Sequence, residues 1–452
     1  MHVPVEIPGP TTPLCSNIKQ RYLVVPSFTL ESGIRLENVP VSFNTYGSLN
    51  AQRDNCVVVC HPISGSPDIP SWWDPLVGPG RLFDTGHFFV VCCNVIGSPY
   101  GTASPLTRRG GELFEKGRWV PAPHVTSPME QRSLTWWGAD FPNSTVRDDV
   151  RLHKHVLEYL GVNQIAVVVG GSMGGMASLE WPLCYPVRYP SSDDYLAQAV
   201  QKEKPYVRAS VTLASSARHT AWCIAWSETQ RLSIFTDPNF NEGRYLLNKP
   251  PNSGLATARM NALLTYRHPG SIERRFRRMR GKDNMARNAP ARQPPAPRAA
   301  TSPIPFPEAA KPQDREMYAV QSYLHYHGAK FVKRFDANCY IHLTHKLDTQ
   351  DVARGRENWA HEGARNDDGV MRAVLNLLGT APVAPRVLVL SVTSDVLYPP
   401  PDQMLIHELI PGSELIDIQS TEGHDGFLLE YPQIERAICR FLTTTEERMS
   451  RL

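Results

Sequence analysis

Three residues whose types together can move an acyl group stand far apart in this chain: Ser172, Asp395 and His424. Ser172 sits in Gly170-Gly171-Ser172-Met173-Gly174, after the run Val167-Val168-Val169 and before the apolar Met176-Ala177-Ser178-Leu179-Glu180-Trp181. Strand, tight turn and helix in that order make a nucleophile elbow, a strained turn that lifts a serine hydroxyl above a sheet edge. A Cβ at Gly170 or Gly174 would crowd the neighbouring strand or helix as the backbone reverses. A serine hydroxyl is a weak nucleophile at neutral pH. A base must take its proton, and a third group must orient that base. Asp395 follows the apolar run that begins at Arg386, and Tyr398-Pro399-Pro400 breaks the pattern behind it. His424 lies in Gly423-His424-Asp425-Gly426, after the alternating stretch Ser413–Ser420. Taken singly, Asp395 reads as a turn or helix-capping acid and His424 as a surface loop histidine. In the order serine, acid, base, each beyond a candidate strand, they form a candidate triad.

Negative charge builds on the carbonyl oxygen during acyl transfer, and two backbone N–H groups usually hold it. One is expected from Met173, the residue after the nucleophile, and the other from a loop after an early strand. His61-Pro62-Ile63-Ser64-Gly65-Ser66 follows the apolar run Cys56–Cys60, which makes Ile63 the second candidate donor.

These groups need a scaffold. Strand candidates precede the elbow at Tyr22–Leu30, Val41–Tyr46, Cys56–Cys60 and Phe88–Val95, and Val207–Ala214 follows it. Continuous apolar runs suggest strands covered on both faces, as in a mostly parallel sheet. Arg147–Leu160 has helical spacing, and strands alternating with helices argue for a doubly wound α/β sheet. From 218 to 368 helical stretches dominate (Trp222–Leu232, Leu255–Thr265, Tyr318–Arg334), which predicts a helical cap between two core parts, 1–217 and 369–452. The Pro- and Ala-rich segment near 288–315 reads as disordered. Thr107–Leu134 and Arg188–Lys204 read as surface insertions.

Composition narrows the function classes. The 452 residues are 41% hydrophobic and 20% charged with a net charge of +3, so nothing points to nucleic acid or a membrane surface. One basic run, Arg274-Arg275-Phe276-Arg277-Arg278-Met279-Arg280, could meet the phosphates of an acyl carrier or be a solvated helix face. Nine cysteines without Cys-x-x-Cys pairs argue against a disulfide framework and a zinc site. Most of them are expected inside apolar strands as buried thiols, in a reducing, cytoplasmic setting. The N-terminus lacks the pattern of a signal peptide, and Ser450-Arg451-Leu452 is a variant of the Ser-Lys-Leu peroxisomal address.

Several stretches resemble the homoserine O-acetyltransferase family of α/β-hydrolase-fold acyltransferases. They are His61–Ser66, Trp72-Trp73-Asp74-Pro75-Leu76-Val77-Gly78-Pro79-Gly80, Cys93–Thr102, Thr145-Val146-Arg147-Asp148-Asp149 and Gly171–Met176, followed by Gly254-Leu255-Ala256-Thr257-Ala258-Arg259-Met260, Arg334-Phe335-Asp336-Ala337-Asn338 and Gly423–Leu428. Their order is the family's, and Ala-Trp-Cys-Ile-Ala-Trp looks most like fungal members, which acetylate homoserine, serine or deacetylcephalosporin C. The resemblance implies an α/β-hydrolase fold, acetyl-CoA as co-substrate with no bound cofactor or metal, and an acetyl-Ser172 intermediate. It also implies Arg259 on the acceptor's carboxylate and Asp425 on its amino group, with Tyr266 as a pocket residue. Relatives are commonly dimers, so it implies a homodimer. Three readings stay open at this point: acetyl transfer to an amino-acid hydroxyl, L-homoserine first; ester hydrolysis by the same triad; and a non-catalytic binding protein on the same fold. Thr107–Leu134 and Arg188–Lys204 are longer than the family's pattern.

Overall fold

The computed structural model describes residues 4–7, 13–15, 18–109, 114–115, 118–119, 137–185, 205–280, 317–381 and 384–449. Nine strands form one sheet: β1 (Val5–Ile7), β2 (Arg21–Thr29), β3 (Arg35–Tyr46), β4 (Cys56–Cys60), β5 (Phe89–Cys93), β6 (Ile165–Gly171), β7 (Ala209–Leu213), β8 (Arg386–Val392) and β9 (Glu414–Ile418). Their spatial order is β1-β2-β3-β5-β4-β6-β7-β8-β9. Pairing is antiparallel from β1 to β5 and parallel from β5 to β9. The β-branched runs explain that arrangement: β4, β5 and β7 are buried along their whole length, as strands covered on both faces must be.

Helix α1 (Val146–Tyr159) and the elbow helix α2 (Met173–Cys184) flank the central strands. Thr145 caps α1 reciprocally with Asp148, each side chain accepting from the other's backbone N–H. Residues 218–368 supply α3 (Ala221–Phe235), α4 (Asn252–Tyr266), α5 (Pro269–Phe276), α6 (Ala319–Phe331) and α7 (Ala337–Asp348). Helices α8 (Asp367–Thr380), α9 (Pro400–Leu409) and α10 (Tyr431–Met449) complete the last part of the core.

The strands and helices expected from pattern are present, with ends shifted by a few residues. Strand β3 starts six residues before the expected Val41, because its polar N-terminal half lies on the partly exposed end of an antiparallel pair. Cys184, Cys223 and Cys339 lie on helices α2, α3 and α7 rather than in strands; a thiol behaves as a small apolar group, and either element can bury it. All nine cysteines are free thiols, and Cys439 is exposed. The basic run is helical only as far as Phe276, and Arg277, at φ 45°, turns the chain out of α5. The segment 288–315, the insertion 188–204, most of 107–134 and Ser450-Arg451-Leu452 lie outside the described residues. No helix among the described residues is long and apolar enough to cross a membrane.

Besides His424, the described residues include four buried histidines, His61, His153, His219 and His342. Burial pushes His61 and His219 down to about 4, His153 to about 3, and His342 well below its ordinary value. A depressed imidazole contributes stability above its unfolded pKa of about 6.5, lost as pH falls toward the folded value. For His61, His153 and His219 this costs about 2 kcal/mol of stability each by pH 5. Burial raises the carboxyls of Asp148, Asp149 and Asp336, which works in the opposite direction and offsets part of this. Denaturant midpoints are therefore expected to fall steadily from pH 7 to pH 5, and a flat profile over that interval would contradict the buried-neutral assignment.

Candidate active site

Ser172 occupies the turn between β6 and α2 with φ 59° and ψ −126°, a conformation that side chains other than glycine rarely adopt. Three contacts hold it there. Its N–H donates to the Leu213 carbonyl at 3.0 Å, its carbonyl accepts from Gly175 N–H at 2.9 Å, and the Ser215 hydroxyl donates to that same carbonyl at 2.8 Å. The main chain of Gly174 fills the space a Cβ would need at Gly170, and the Cys60 carbonyl fills it at Gly174. The elbow therefore packs directly against the end of β4, where the His61–Ser66 loop begins. Ile63 and Met173, the two expected N–H donors, belong to the same buried cluster. As the first residue of α2, Met173 has an N–H with no partner within the helix.

Asp395 and His424 come together. Nδ1 of His424 lies 2.7 Å from Oδ2 of Asp395, and both residues are almost fully buried. The other carboxylate oxygen accepts backbone N–H groups from Leu397 at 2.8 Å and Tyr398 at 3.0 Å. With both oxygens engaged, the carboxylate has one orientation available, and that fixes the ring it faces. Around the imidazole stand Tyr266, Tyr398 and Phe427, with ring centroids 5.9, 5.4 and 5.2 Å away. The Phe427 ring also lies against Gly171, so the histidine loop meets the elbow through it.

The acceptor-side candidates gather beside this pair. Asp425 is ion-paired with Arg267 at 2.9 Å, and Arg267 also reaches Glu422 at 2.6 Å. Burial raises the Asp425 carboxyl, opposed by the nearby charges of Arg267, His424 and Arg259. The Arg259 guanidinium lies over the rings of Tyr266 at 5.4 Å and Phe331 at 5.0 Å, and its Nη1 is buried without a hydrogen-bond partner. A buried guanidinium N–H left open between two aromatic faces is suited to an anionic oxygen. Among the described residues no group of three or more His, Cys, Asp or Glu side chains is placed to hold a metal ion.

Four residues near the site carry no role in the motif reading. Arg267 holds Asp425, Ser215 holds the Ser172 carbonyl, Tyr398 binds Asp395 and flanks His424, and Arg334 donates to the Ser64 carbonyl at 3.1 Å. Arg267 follows Tyr266 directly and Tyr398 lies three residues past Asp395, so sequence neighbourhood could have raised both. Ser215 and Arg334 gain their places only when β7 and α6 are in position.

Comparison with known proteins gives the same setting. A family model described as alpha/beta hydrolase fold matches residues 55–431. A homoserine O-acetyltransferase of Emericella nidulans is 40% identical over 479 residues, spanning 96% of this chain and 88% of that protein. One from Gibberella fujikuroi is 41% identical over 446 residues, spanning 97% and 91%. The chain belongs to the homoserine O-acetyltransferase family, within the α/β-hydrolase fold. It is an enzyme of the acyltransferase kind. Among solved structures, a homoserine O-acetyltransferase from Bacillus anthracis superposes with TM-score 0.66 at 19% identity, covering 98% of both chains. Esterase E22 superposes with TM-score 0.67 at 21% identity, covering 94% of this chain and 99% of its own. At such identities these two structures bear on the fold alone.

The histidine loop of this chain depends on Gly423. It has φ 76°, and main-chain atoms of Tyr266, Arg267 and His268 occupy the space a Cβ would enter. Gly423→Ala is expected to push the loop off the cap and lower acyl transfer at least tenfold, with a melting temperature several degrees lower. Transfer rates and thermal melts of the purified variant measure both, and wild-type transfer would show that the loop is not held this tightly.

Proposed function

We propose that this enzyme moves the acetyl group of acetyl-CoA to the hydroxyl of L-homoserine in two half-reactions at Ser172. The observation that carries this reading is the buried His424–Asp395 pair, flanked by Phe427, which packs on the elbow at Gly171, and by Tyr266, over which Arg259 lies with its Nη1 open. Support for the acceptor comes from the relatives at 37–41% identity that carry the name homoserine O-acetyltransferase.

In the first half-reaction the Ser172 hydroxyl gives its proton to Nε2 of His424, and its oxygen attacks the thioester carbonyl carbon. The amides of Ile63 and Met173 hold the oxyanion. Collapse breaks the carbon–sulfur bond, the sulfur takes the proton from His424, and CoA leaves. In the second half the acceptor hydroxyl gives its proton to His424 and attacks the acetyl-serine, and Ser172 recovers a proton as its bond breaks. Asp395 holds the imidazole in the tautomer with Nδ1–H directed at it and stabilises the transient imidazolium. Arg259 binds the acceptor carboxylate, and Asp425 takes its ammonium beside the reacting hydroxyl, with Tyr266 walling the pocket. A reducing, cytoplasmic setting accords with nine unpaired thiols.

Acetyl-CoA offered with a panel of hydroxyl acceptors, with CoA release followed and products identified by mass, tests the reading. O-acetylhomoserine is expected to dominate; acetate alone would make the enzyme a hydrolase, and O-acetylserine would move the acceptor. Ser172→Ala should lower CoA release by on the order of 10⁴-fold or more. Arg259→Ala should leave the first half-reaction near its native rate and weaken acceptor use roughly 10- to 100-fold, the value of about 1.5–3 kcal/mol for a lost charge-assisted hydrogen bond. Equal loss in both half-reactions would remove Arg259 from its assigned place.

A further inference from the structure

The acid–base pair, the elbow and the acceptor groups leave one large feature of the cap unused. Along one side of α6 and its flanks, arginines from three elements lie over aromatic rings. Arg278 donates to the Tyr318 hydroxyl at 2.9 Å with its guanidinium 5.3 Å from that ring. Arg275 lies over Tyr323 at 5.2 Å and over Phe276 at 5.1 Å. Tyr323 packs on His327 with centroids 4.4 Å apart. Further along, Arg259 and Arg334 lie over Phe331 at 5.0 and 5.2 Å, and Arg334 reaches the Ser64 carbonyl in the loop beside the elbow. Positions 323, 327 and 331 repeat every four residues, so the row follows one face of α6 from the surface to the site.

Two further facts separate this row from an ordinary solvated helix face. Among the described residues, Arg259, Arg275, Arg278, Lys330 and Arg334 make no ion pair with a carboxylate, whereas Arg147, Arg218, Arg267 and Arg356 each do. Besides burial, the charges of Arg259, Lys330, Arg275 and Arg267 act together on the half-buried His327 and push it down to about 4. Of these four, Arg267 is paired with Glu422 and Asp425, while Arg259, Lys330 and Arg275 leave an excess of positive charge around the imidazole, and such a field collects anions. Arginines held flat against rings keep their N–H edges free for oxygen ligands.

We infer that this arginine–aromatic row is the docking site for the phosphates of a CoA thioester, with the diphosphate and 3′-phosphate at Arg275 and Arg278 and the acyl end directed past Arg259 toward Ser172. The inference rests on the proposed use of acetyl-CoA and adds where the donor is held. Distance is compatible. From Tyr323, beneath Arg275, to Phe331 the helix rises about 12 Å. A pantetheine arm of roughly a dozen bonds extends about 15 Å by ordinary backbone dimensions. Tyr326, 62% exposed and packed edge-on against His327, offers a face on which an adenine ring can stack.

The test compares two donors in the full-length enzyme: acetyl-CoA, and acetyl-pantetheine, which has the same thioester and arm without phosphates or nucleotide. In R275E/R278E the KM for acetyl-CoA should rise at least tenfold with kcat at saturation within twofold of wild type, while the KM for acetyl-pantetheine moves less than twofold. Adenosine 3′,5′-bisphosphate should compete with acetyl-CoA in wild type and weaken at least tenfold in the variant. The conservative R275K/R278K should recover most of the loss, since charge rather than fork geometry attracts the phosphates. An unchanged KM for acetyl-CoA in the charge-reversed enzyme overturns the docking site, and so does an equal rise for both donors. If wild type releases product from neither donor, the acetyl-transfer reading itself fails, an outcome distinct from either of these.

Discussion

The strained backbone of Ser172 is the constraint on which the rest of the structure depends. A non-glycine residue at φ 59° and ψ −126° costs about 1–3 kcal/mol, and it persists only where its surroundings leave no alternative. Those surroundings come from three directions. Strand β7 accepts the Ser172 N–H at Leu213 and, one residue past Ala214, returns the Ser215 hydroxyl to the Ser172 carbonyl. Ala214 itself has φ 46°, so the device that holds one unfavourable residue contains a second. The end of β4 presses on Gly174 from the other side. Behind the elbow, Glu180 of α2 is buried between Arg356 at 2.7 Å and Arg147 at 3.3 Å, and Arg147 continues to Glu31 beyond β2. Burying that carboxylate would be costly alone; with two guanidiniums it stays charged, below its ordinary pKa, and fixes the roll of α2 against the core.

A second dependence links the cap to the histidine. The end of α4 and the start of α5 bear on Gly423 so closely that no side chain fits between them. Arg267 at the end of α4 pairs with Glu422 and Asp425, which bracket Gly423 and His424. Glu422 is held a second time, by the Ser271 hydroxyl of α5 at 2.7 Å. Arg259 lies two turns earlier on the same α4. A movement of α4 therefore acts on His424 as well as on Arg259, and the proposed acceptor site and the proposed base share one rigid support. The cap is tied to the core at its far side too, where Lys346 of α7 is buried against Asp149 at 2.7 Å and donates to the Ile96 carbonyl.

What the sequence makes legible divides along physical lines. Strand β4, strand β6 and helix α2 are determined locally: β-branched runs, obligatory small residues and an apolar helix leave little freedom, so the elbow could be read from ten residues. Asp395 and His424 were readable as a pair because both lie just past strand ends, where a parallel sheet collects its chemistry. The Thr145–Asp149 stretch was legible as a match, while its capping role and the burial of Asp149 against Lys346 appear only in the structure. Helix α7, with Asp336 capping it and Tyr245 bonded to Asp336 at 2.6 Å, depends on contacts 91 positions apart, which no local pattern reveals. Ser215 and Arg334 are of the same kind. Each acts on a backbone carbonyl, and carbonyls have no sequence signature. The cysteines misled in a different way: burial of a thiol is legible, but the element that buries it is not.

In the proposed acceptor site, the pairing of Asp425 also bears on how acceptors would be told apart. A buried carboxylate left alone would take up a proton, and burial does raise this one. Arg267 at 2.9 Å opposes that rise and favours the anion before any substrate arrives. An ammonium entering beside Asp425 thus meets a charge that is already formed, and it must share that charge with a guanidinium that has Glu422 as a second partner. Such sharing favours a ligand that brings its own carboxylate to Arg259, because the two opposite charges then arrive together and neither polar group is left unpaired. A plain alcohol or water satisfies neither end and leaves Nη1 of Arg259 buried and open. Discrimination on this basis comes from groups that a wrong acceptor fails to satisfy, which makes it steeper than a fit to shape alone.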